Sequence, residues 1–538
     1  MPGLARVMGA LNRMPDGFLQ TLGGVTAIHV DGDAGAGGDG SLADPYDDFT
    51  EVNTAAAAGE LDGLKVRLNR GSTIYDQLVL TGTIGVTIEP YGSGADPIID
   101  VSTVLAGAWT KVGNVYSHAS ETVIRNLLVD GTKMTIRKAG QSGSGAAANA
   151  LAADNAAYVE AGPVLTVYSS TLDMTTATDI RHATVEFGID ARTGVNGCTI
   201  RNITVQMAKQ NCVVFNGDSN NNLITGCTIR WCGDDGDVGS GIFMSGASKA
   251  DKATGNIFEN CKSYGHNVLT GTQGNAIEIS WQDGMIIRDC EFYDIAGNGI
   301  EVYDECDNCL IENCLVYCCY ANAVKIYTTA SEAADSTNNL FRNCVFHSDN
   351  NWFRDNNPIG AQLVDYRGGT NNRFTHCSFF GDNAHAFWVW AGTAVYKNNV
   401  GHLLHTGGTN YQHIYLGALT QLAVMVGSDY NVYDYTTGGQ SWYQDGITYY
   451  TGANWALWKA LNVDIDDNSV SSNGALLYTA AETSFHNPET DPPDMSIGGG
   501  SNAEDFSPVD SDSPSTDING VVRVPAAGFI DAGAYIKA

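Results

Sequence analysis

A short apolar phrase ending in cysteine returns throughout the middle of this chain, and no other feature limits the fold so tightly. Asn-Leu-Ile-Thr-Gly-Cys occupies 222–227, Asn-Ile-Phe-Glu-Asn-Cys 256–261 and Met-Ile-Ile-Arg-Asp-Cys 285–290. Leu-Ile-Glu-Asn-Cys (310–314), Leu-Phe-Arg-Asn-Cys (340–344) and Arg-Phe-Thr-His-Cys (373–377) continue the series, and Ile203 fills the same slot one period earlier. Most copies are followed by a second apolar run: Cys212–Phe215, Gly241–Met244, Ala276–Ile279, Gly299–Val302 and Ala323–Ile326. A fixed phrase at a variable period of about 20–35 residues predicts stacked rungs whose insertions fall in loops.

The runs are short, β-branched and bounded by Gly, Asn and Asp, with no helical periodicity, which excludes helical repeats and leaves an all-β parallel β-helix. Successive rungs then lie about 4.8 Å apart, so equivalent residues form ladders. Cys227, Cys261, Cys290, Cys314, Cys344 and Cys377 are expected to point inward with the Ile and Val positions. Asn is expected at turns, where it tolerates left-handed backbone and stacks its amide. On these motifs the chain resembles right-handed parallel β-helix proteins, the pectate-lyase-like enzymes and phage tailspikes. The resemblance implies a solenoid that handles glycans and, for spikes, a closed homotrimer. It does not fix an activity.

The flanks divide the chain further. Residues 1–24 carry a stripe of Leu4, Val7, Met8 and Leu11 broken by Arg6 and Arg13, with no cleavage site, so they read as a docking segment rather than a signal peptide. Residues 25–108 read as an opening strand, a Gly/Asp loop, an amphipathic segment (48–59) that caps the first rung, and the first rungs. A cap is expected because an open solenoid end exposes unpaired strand edges. From 109 to 180 the pattern stops, and strands near 115–117, 127–131 and 164–168 suggest an inserted β-module. The central coil runs from 181 to 400, and 401–538 holds the last rungs and a Pro/Asp-rich closing segment.

Sixty Asp and Glu against 28 Lys and Arg give a net charge of −32, which argues against a nucleic-acid partner and suits a neutral glycan better than a uronate. No apolar run approaches the roughly 18 residues of a membrane span. Thirteen cysteines, an odd number with six of them on the core ladder, point to mostly free thiols and folding in a reducing cytoplasm. Cys306-x-x-Cys309 has zinc-like spacing, yet Cys309 aligns with Asn339 of a later rung, so turn stacking accounts for it. Together these features suggest a virion protein released by lysis, docked to tail or capsid proteins through its N-terminus. A secreted enzyme is the alternative.

Because strand residues alternate sides, Glu278, Glu301 and Lys325 should stack outward on successive rungs. Ser280, Tyr303 and Tyr327 form a parallel row, Trp281, Asp283, Asp304 and Asp307 follow in loops, and Trp388 and Trp390 continue the face. Aromatic rings stack on sugars while carboxylates handle protons, so Tyr303, Asp304, Tyr327, Trp388 and Trp390 are the expected substrate contacts. Three readings stay open for Glu278, Glu301 and Lys325. In a hydrolase, Lys325 holds Glu301 anionic and leaves Glu278 as the protonated acid, with no cofactor. In a lyase, Lys325 is the base and the two glutamates hold Ca²⁺ against a uronate. In a structural spike the ladder only solvates a face. Asp234, Asp235 and Asp237 read as turn residues, and His266, His347, His376 and His385 as structural. The outward apolar Val214 and Phe243 are expected to be contacts between copies of a trimer.

Overall fold

The computed structural model describes residues 26–119, 126–137, 156–159, 164–233, 239–266, 274–319, 321–327, 336–349, 361–382 and 384–404, with short segments between 414 and 530. Residues 1–24, expected to dock, and Asp234, Asp235 and Asp237 lie outside the described residues.

Among the described residues, three long sheets hold 11, 12 and 12 strands. Sheet A begins at Ala27–Val30 and ends at Ala394–Lys397, sheet B runs from Thr73–Ile74 to Val470–Asn473, and sheet C runs from Leu78–Val79 to Thr448–Thr451. One rung contributes one strand to each, as in Ile257–Glu259, Lys262–His266 and Ile277–Ser280. Neighbouring rungs pair in parallel and in register, so the coil is a parallel β-helix.

The corner between sheets A and B explains the recurring phrase. Asn260, Asp289, Asn313, Asn343 and His376 each take a left-handed φ, between 53° and 55°, which short polar side chains accept at low cost. The next residue, the ladder cysteine, then turns into the core, and all six are at most 3% exposed. Each sulfhydryl reaches the carbonyl two residues back, as Cys290 Sγ does to Arg288 O at 3.0 Å. All thirteen cysteines are buried free thiols. A second ladder marks the start of sheet A: the side-chain carbonyls of Asn222, Asn256, Asn339 and Asn372 accept from the backbone N–H of the preceding rung at 2.9–3.0 Å. Cys309 takes an asparagine's place in this ladder and donates its N–H to Asn339. Inside, aliphatic residues and stacked rings such as Phe341 and Phe374, 4.5 Å apart, form one continuous core.

A helix, Thr50–Ala57, packs Val52, Ala55 and Ala56 into this same core beside Phe49. Its Asn53 side chain bonds the backbone of Gln77 and Val79 at 2.8 Å. Between Ser102 and Ala183 the chain leaves the coil. Strands Thr110–Val112, Val115–Ala119, Thr135–Arg137, Ala156–Val159 and Val164–Tyr168 form a five-stranded sheet, and four others form a second sheet. Tyr116, Leu127, Val129, Met134, Leu165 and Val167 close a separate small core. No helix among the described residues is long and apolar enough to cross a membrane. Val214, expected as an exposed contact between copies, is instead only 2% exposed within a single chain.

Candidate active site

Sheet C carries the outward glutamates, and its register fixes three parallel rows across them. Strands Ile277–Ser280, Ile300–Tyr303, Asn322–Tyr327, Ala361–Tyr366 and Ala384–Val389 are consecutive in the sheet. The middle row reads Glu278, Glu301, Lys325, Asp365, Trp388. Ser280, Tyr303 and Tyr327 form the second row, which continues into Arg367 and Trp390. The third row lies at the strand starts: Asn275, Asn298, Asn322, Gln362, His385.

The pair of acids is bound together by one amide. Asn275 Nδ2 donates to Glu278 Oε2 at 3.1 Å and to Glu301 Oε2 at 2.6 Å. Two oxygens sharing one donor lie within about 6 Å, twice a hydrogen-bond length. Ser240 Oγ also donates to Glu278, at 2.9 Å. Glu301 is held on every side, with Asn298 Nδ2 on Oε2 at 3.3 Å and Lys325 Nζ on Oε1 at 2.7 Å. It points outward, as alternation requires, yet it is only 4% exposed. The expectation of a carboxylate facing open solvent is therefore corrected: the amide row and Lys325 cover it.

Electrostatics separates the two acids. Burial, and then the charge of Glu301, push the Glu278 carboxyl up to about 7, against the opposing pull of Ser240, Asn275 and Lys325. The folded value lies above the ordinary 4.5, so the stability linked to this group is fully present below about pH 4.5 and is lost as pH rises through 7. Glu278→Gln is therefore expected to be more stable than the wild type at pH 8, by on the order of 2–3 kcal/mol. The gap should close by pH 5, and paired thermal melts at the two pH values check this. No gap at pH 8 would mean an ordinary carboxyl.

The second row supplies rings and a cation. Tyr303 and Tyr327 stack at 5.7 Å, and Lys325 Nζ sits 4.7 Å from the Tyr327 centroid. Arg367 lies 5.8 Å from both the Tyr327 and Trp390 rings and binds Asp365 through Nε at 2.8 and 3.0 Å. Burial, above all, raises the Asp365 carboxyl. Trp388 and Trp390 stack at 5.0 Å, and Trp390 is 45% exposed. Asp304 sits in the left-handed turn after Tyr303, with φ 40°, and its charge helps burial raise the Tyr303 hydroxyl. Asp307 lies farther out, where its carboxylate accepts from Thr337 N and Oγ1 at 2.9 and 2.7 Å.

The fold thus brings Glu278, Glu301, Lys325, Tyr303, Tyr327, Trp388 and Trp390 to one face. Sequence reasoning missed Asn275, Asn298, Asp365 and Arg367, and it read His385 as structural without assigning it to this face. His385 packs edge-on against Trp388 at 5.4 Å, and burial lowers its imidazole to about 4. Among the described residues, no group of three or more His, Cys, Asp or Glu is arranged to hold a metal ion. Glu278 and Glu301 are the carboxylates that Ca²⁺ would need in a lyase; Glu278 Oε2 accepts from Ser240 and Asn275, and the two oxygens of Glu301 accept from Asn275, Asn298 and Lys325.

Residues 187–350 match the family described as right handed beta helix region. The coil of three parallel sheets is a right-handed β-helix. No curated protein matches the chain. Among similar solved structures, one described as the complex structure of XylC with xylose is 10% identical, with a TM-score of 0.44, covering 77% of this chain and 76% of its own. A rhamnogalacturonan lyase is 10% identical at TM-score 0.40, covering 72% and 84%. The tailspike protein gp49 from Pseudomonas phage LKA1 is 15% identical at TM-score 0.33, covering 73% and 69%.

Proposed function

We propose that this β-helix binds a surface polysaccharide along sheet C and hydrolyses it with Glu278 and Glu301. The observation that carries the reading is the asymmetric pair: one carboxyl raised to about 7, the other ion-paired, and both on one amide. Glu278 gives its proton to the glycosidic oxygen. Glu301, ion-paired with Lys325, attacks the anomeric carbon as the bond to the protonated leaving oxygen breaks, and a water that gives its proton back to Glu278 then displaces Glu301 and frees the sugar. A separation within about 6 Å fits the retaining geometry of roughly 5–5.5 Å better than the wider inverting one. Asn275 keeps the pair together, and Asn298 orients Glu301.

Lys325 Nζ is committed to Glu301 at 2.7 Å, which disfavours the lyase reading, because a proton-abstracting base must turn its nitrogen to the substrate. With Glu278 protonated, Lys325 paired to Glu301 and Arg367 paired to Asp365, these five groups carry no net charge between them, which suits a neutral sugar. Attachment to a virion belongs to the same proposal and is suggested by the apolar stripe in residues 1–24, and assembly as a homotrimer is what the resemblance to tailspikes implies.

The test is a panel of purified bacterial surface polysaccharides, neutral and acidic, assayed for new reducing ends and for absorbance from unsaturated sugars. Hydrolysis predicts reducing ends without the absorbance, whereas the absorbance together with chelator sensitivity would establish the lyase. Trp390→Ala is expected to weaken retention on the cleaved polysaccharide by about 1–2 kcal/mol, the scale of an aromatic contact, as read by affinity electrophoresis. Unchanged retention would remove this row from the binding surface.

A further inference from the structure

The outer face of sheet A holds a second charged arrangement, away from the row described above. In its first rungs Lys65 pairs in register with Thr87 and Thr199, and Arg67 with Glu89. Arg201, in the next rung, falls beside Glu89. Lys65 Nζ and Arg67 Nε each bind Glu89 Oε1 at 3.1 Å, and Arg201 binds Glu89 Oε2. One carboxylate, 6% exposed, thus sits beneath three cations whose side chains remain 42%, 37% and 46% exposed.

Later rungs of the same sheet act as an internal comparison. There Glu259 takes Arg288, and Glu312 takes Arg342, each pair one to one. Neutralising a buried carboxylate needs one cation, and here there are three. The surplus of two positive charges occurs in a chain with only 28 Lys and Arg and a net charge of −32. The hydroxyls of Thr87 and Thr199, partly exposed on the adjacent row, add neutral hydrogen-bonding groups. Asp31, just after the first strand of the sheet, is engaged by Asn69 Nδ2 at 2.8 Å.

We infer that Lys65, Arg67 and Arg201 form a binding site for the anionic groups of an acidic polysaccharide, such as a carboxylate or a sulfate ester. Guanidinium forks match the paired oxygens of such groups, and the Glu89 carboxylate takes one contact from each of Lys65, Arg67 and Arg201, so each cation keeps donors for a second anion. A carbohydrate fits better than an acidic peptide. The strands involved are interior to the sheet, hydrogen-bonded on both sides, so no edge is free for strand addition. The site is independent of the glutamate pair on sheet C and stands whether or not that pair is catalytic.

Full-length protein should bind dextran sulfate and polygalacturonate, but not neutral dextran, in a manner weakened by salt. The Arg67→Ala/Arg201→Ala double variant should lose about tenfold or more in affinity for both, since two charge-assisted contacts go. Thr199→Asp leaves every ion pair in place and adds a carboxylate to the patch, so it should weaken binding as well; it decides the matter if the double variant fails to fold. Arg288→Ala, from a one-to-one pair, should bind like the wild type. Wild-type protein that ignores both polyanions would overturn the site, as would undiminished binding by folded double variant or by Thr199→Asp. Binding of polyglutamate alone would overturn the carbohydrate assignment.

Discussion

Glu278→Gln is expected to slow depolymerisation by about 10²- to 10⁴-fold, the usual contribution of a positioned proton donor. Retention of the polysaccharide should persist, because the amide preserves the shape of the side chain and its contacts to Ser240 and Asn275. Glu301→Gln should be at least as damaging, since it removes the charge opposite the developing cation and leaves Lys325 without its partner. The wild-type rate should fall as pH rises through about 7, where Glu278 loses the proton it must donate. A single variant with the wild-type rate would remove that residue from the chemistry.

The fold was legible in the chain because a parallel coil repeats its constraints. Each rung needs a left-handed corner, a small inward group after it and a β-branched strand, so Asn, Cys and Ile recur at matching places. The corner residues Asn260, Asp289, Asn313 and Asn343 show how few side chains accept that backbone. Glu278, Glu301 and Lys325 followed from strand alternation alone. Alternation fixes the side a residue takes, however, and not what covers it, so the burial of Glu301 could not be read in advance. Asn275, Asn298 and Asn322 did leave a signal: each stands two residues before the first Ile or Val of its strand. Asp365 and Arg367 left a weaker one. Asp365 lies in the strand Ala361–Tyr366 and Arg367 just beyond it, and this run follows the phrase at 340–344 only after a longer insertion than in the earlier rungs, so the sequence alone does not mark it as that rung's second run.

Lys325→Ala should have the largest effect on stability on this face. Lys325 and Glu301 are 15% and 6% exposed at the side chain, so the pair is withdrawn from water. Removing one partner of such a pair leaves an uncompensated buried charge, which costs about 3–5 kcal/mol. The denaturation midpoint should fall accordingly, with or without any glycan present. Lys65→Ala, whose partner Glu89 keeps two arginines, should lose far less. A loss below about 1 kcal/mol at Lys325, the scale of a surface pair, would show that the ladder is merely solvated.

The stereochemistry of the product tests the two-carboxylate account most directly. Proton NMR of the first sugar released from a cleaved surface polysaccharide reports the anomer before it equilibrates. The shared Asn275 amide, with both carboxylates in reach, predicts retention of the anomeric configuration. An inverted anomer would contradict the close pairing of Glu278 and Glu301 as the reacting groups, and a 4,5-unsaturated product would contradict hydrolysis itself.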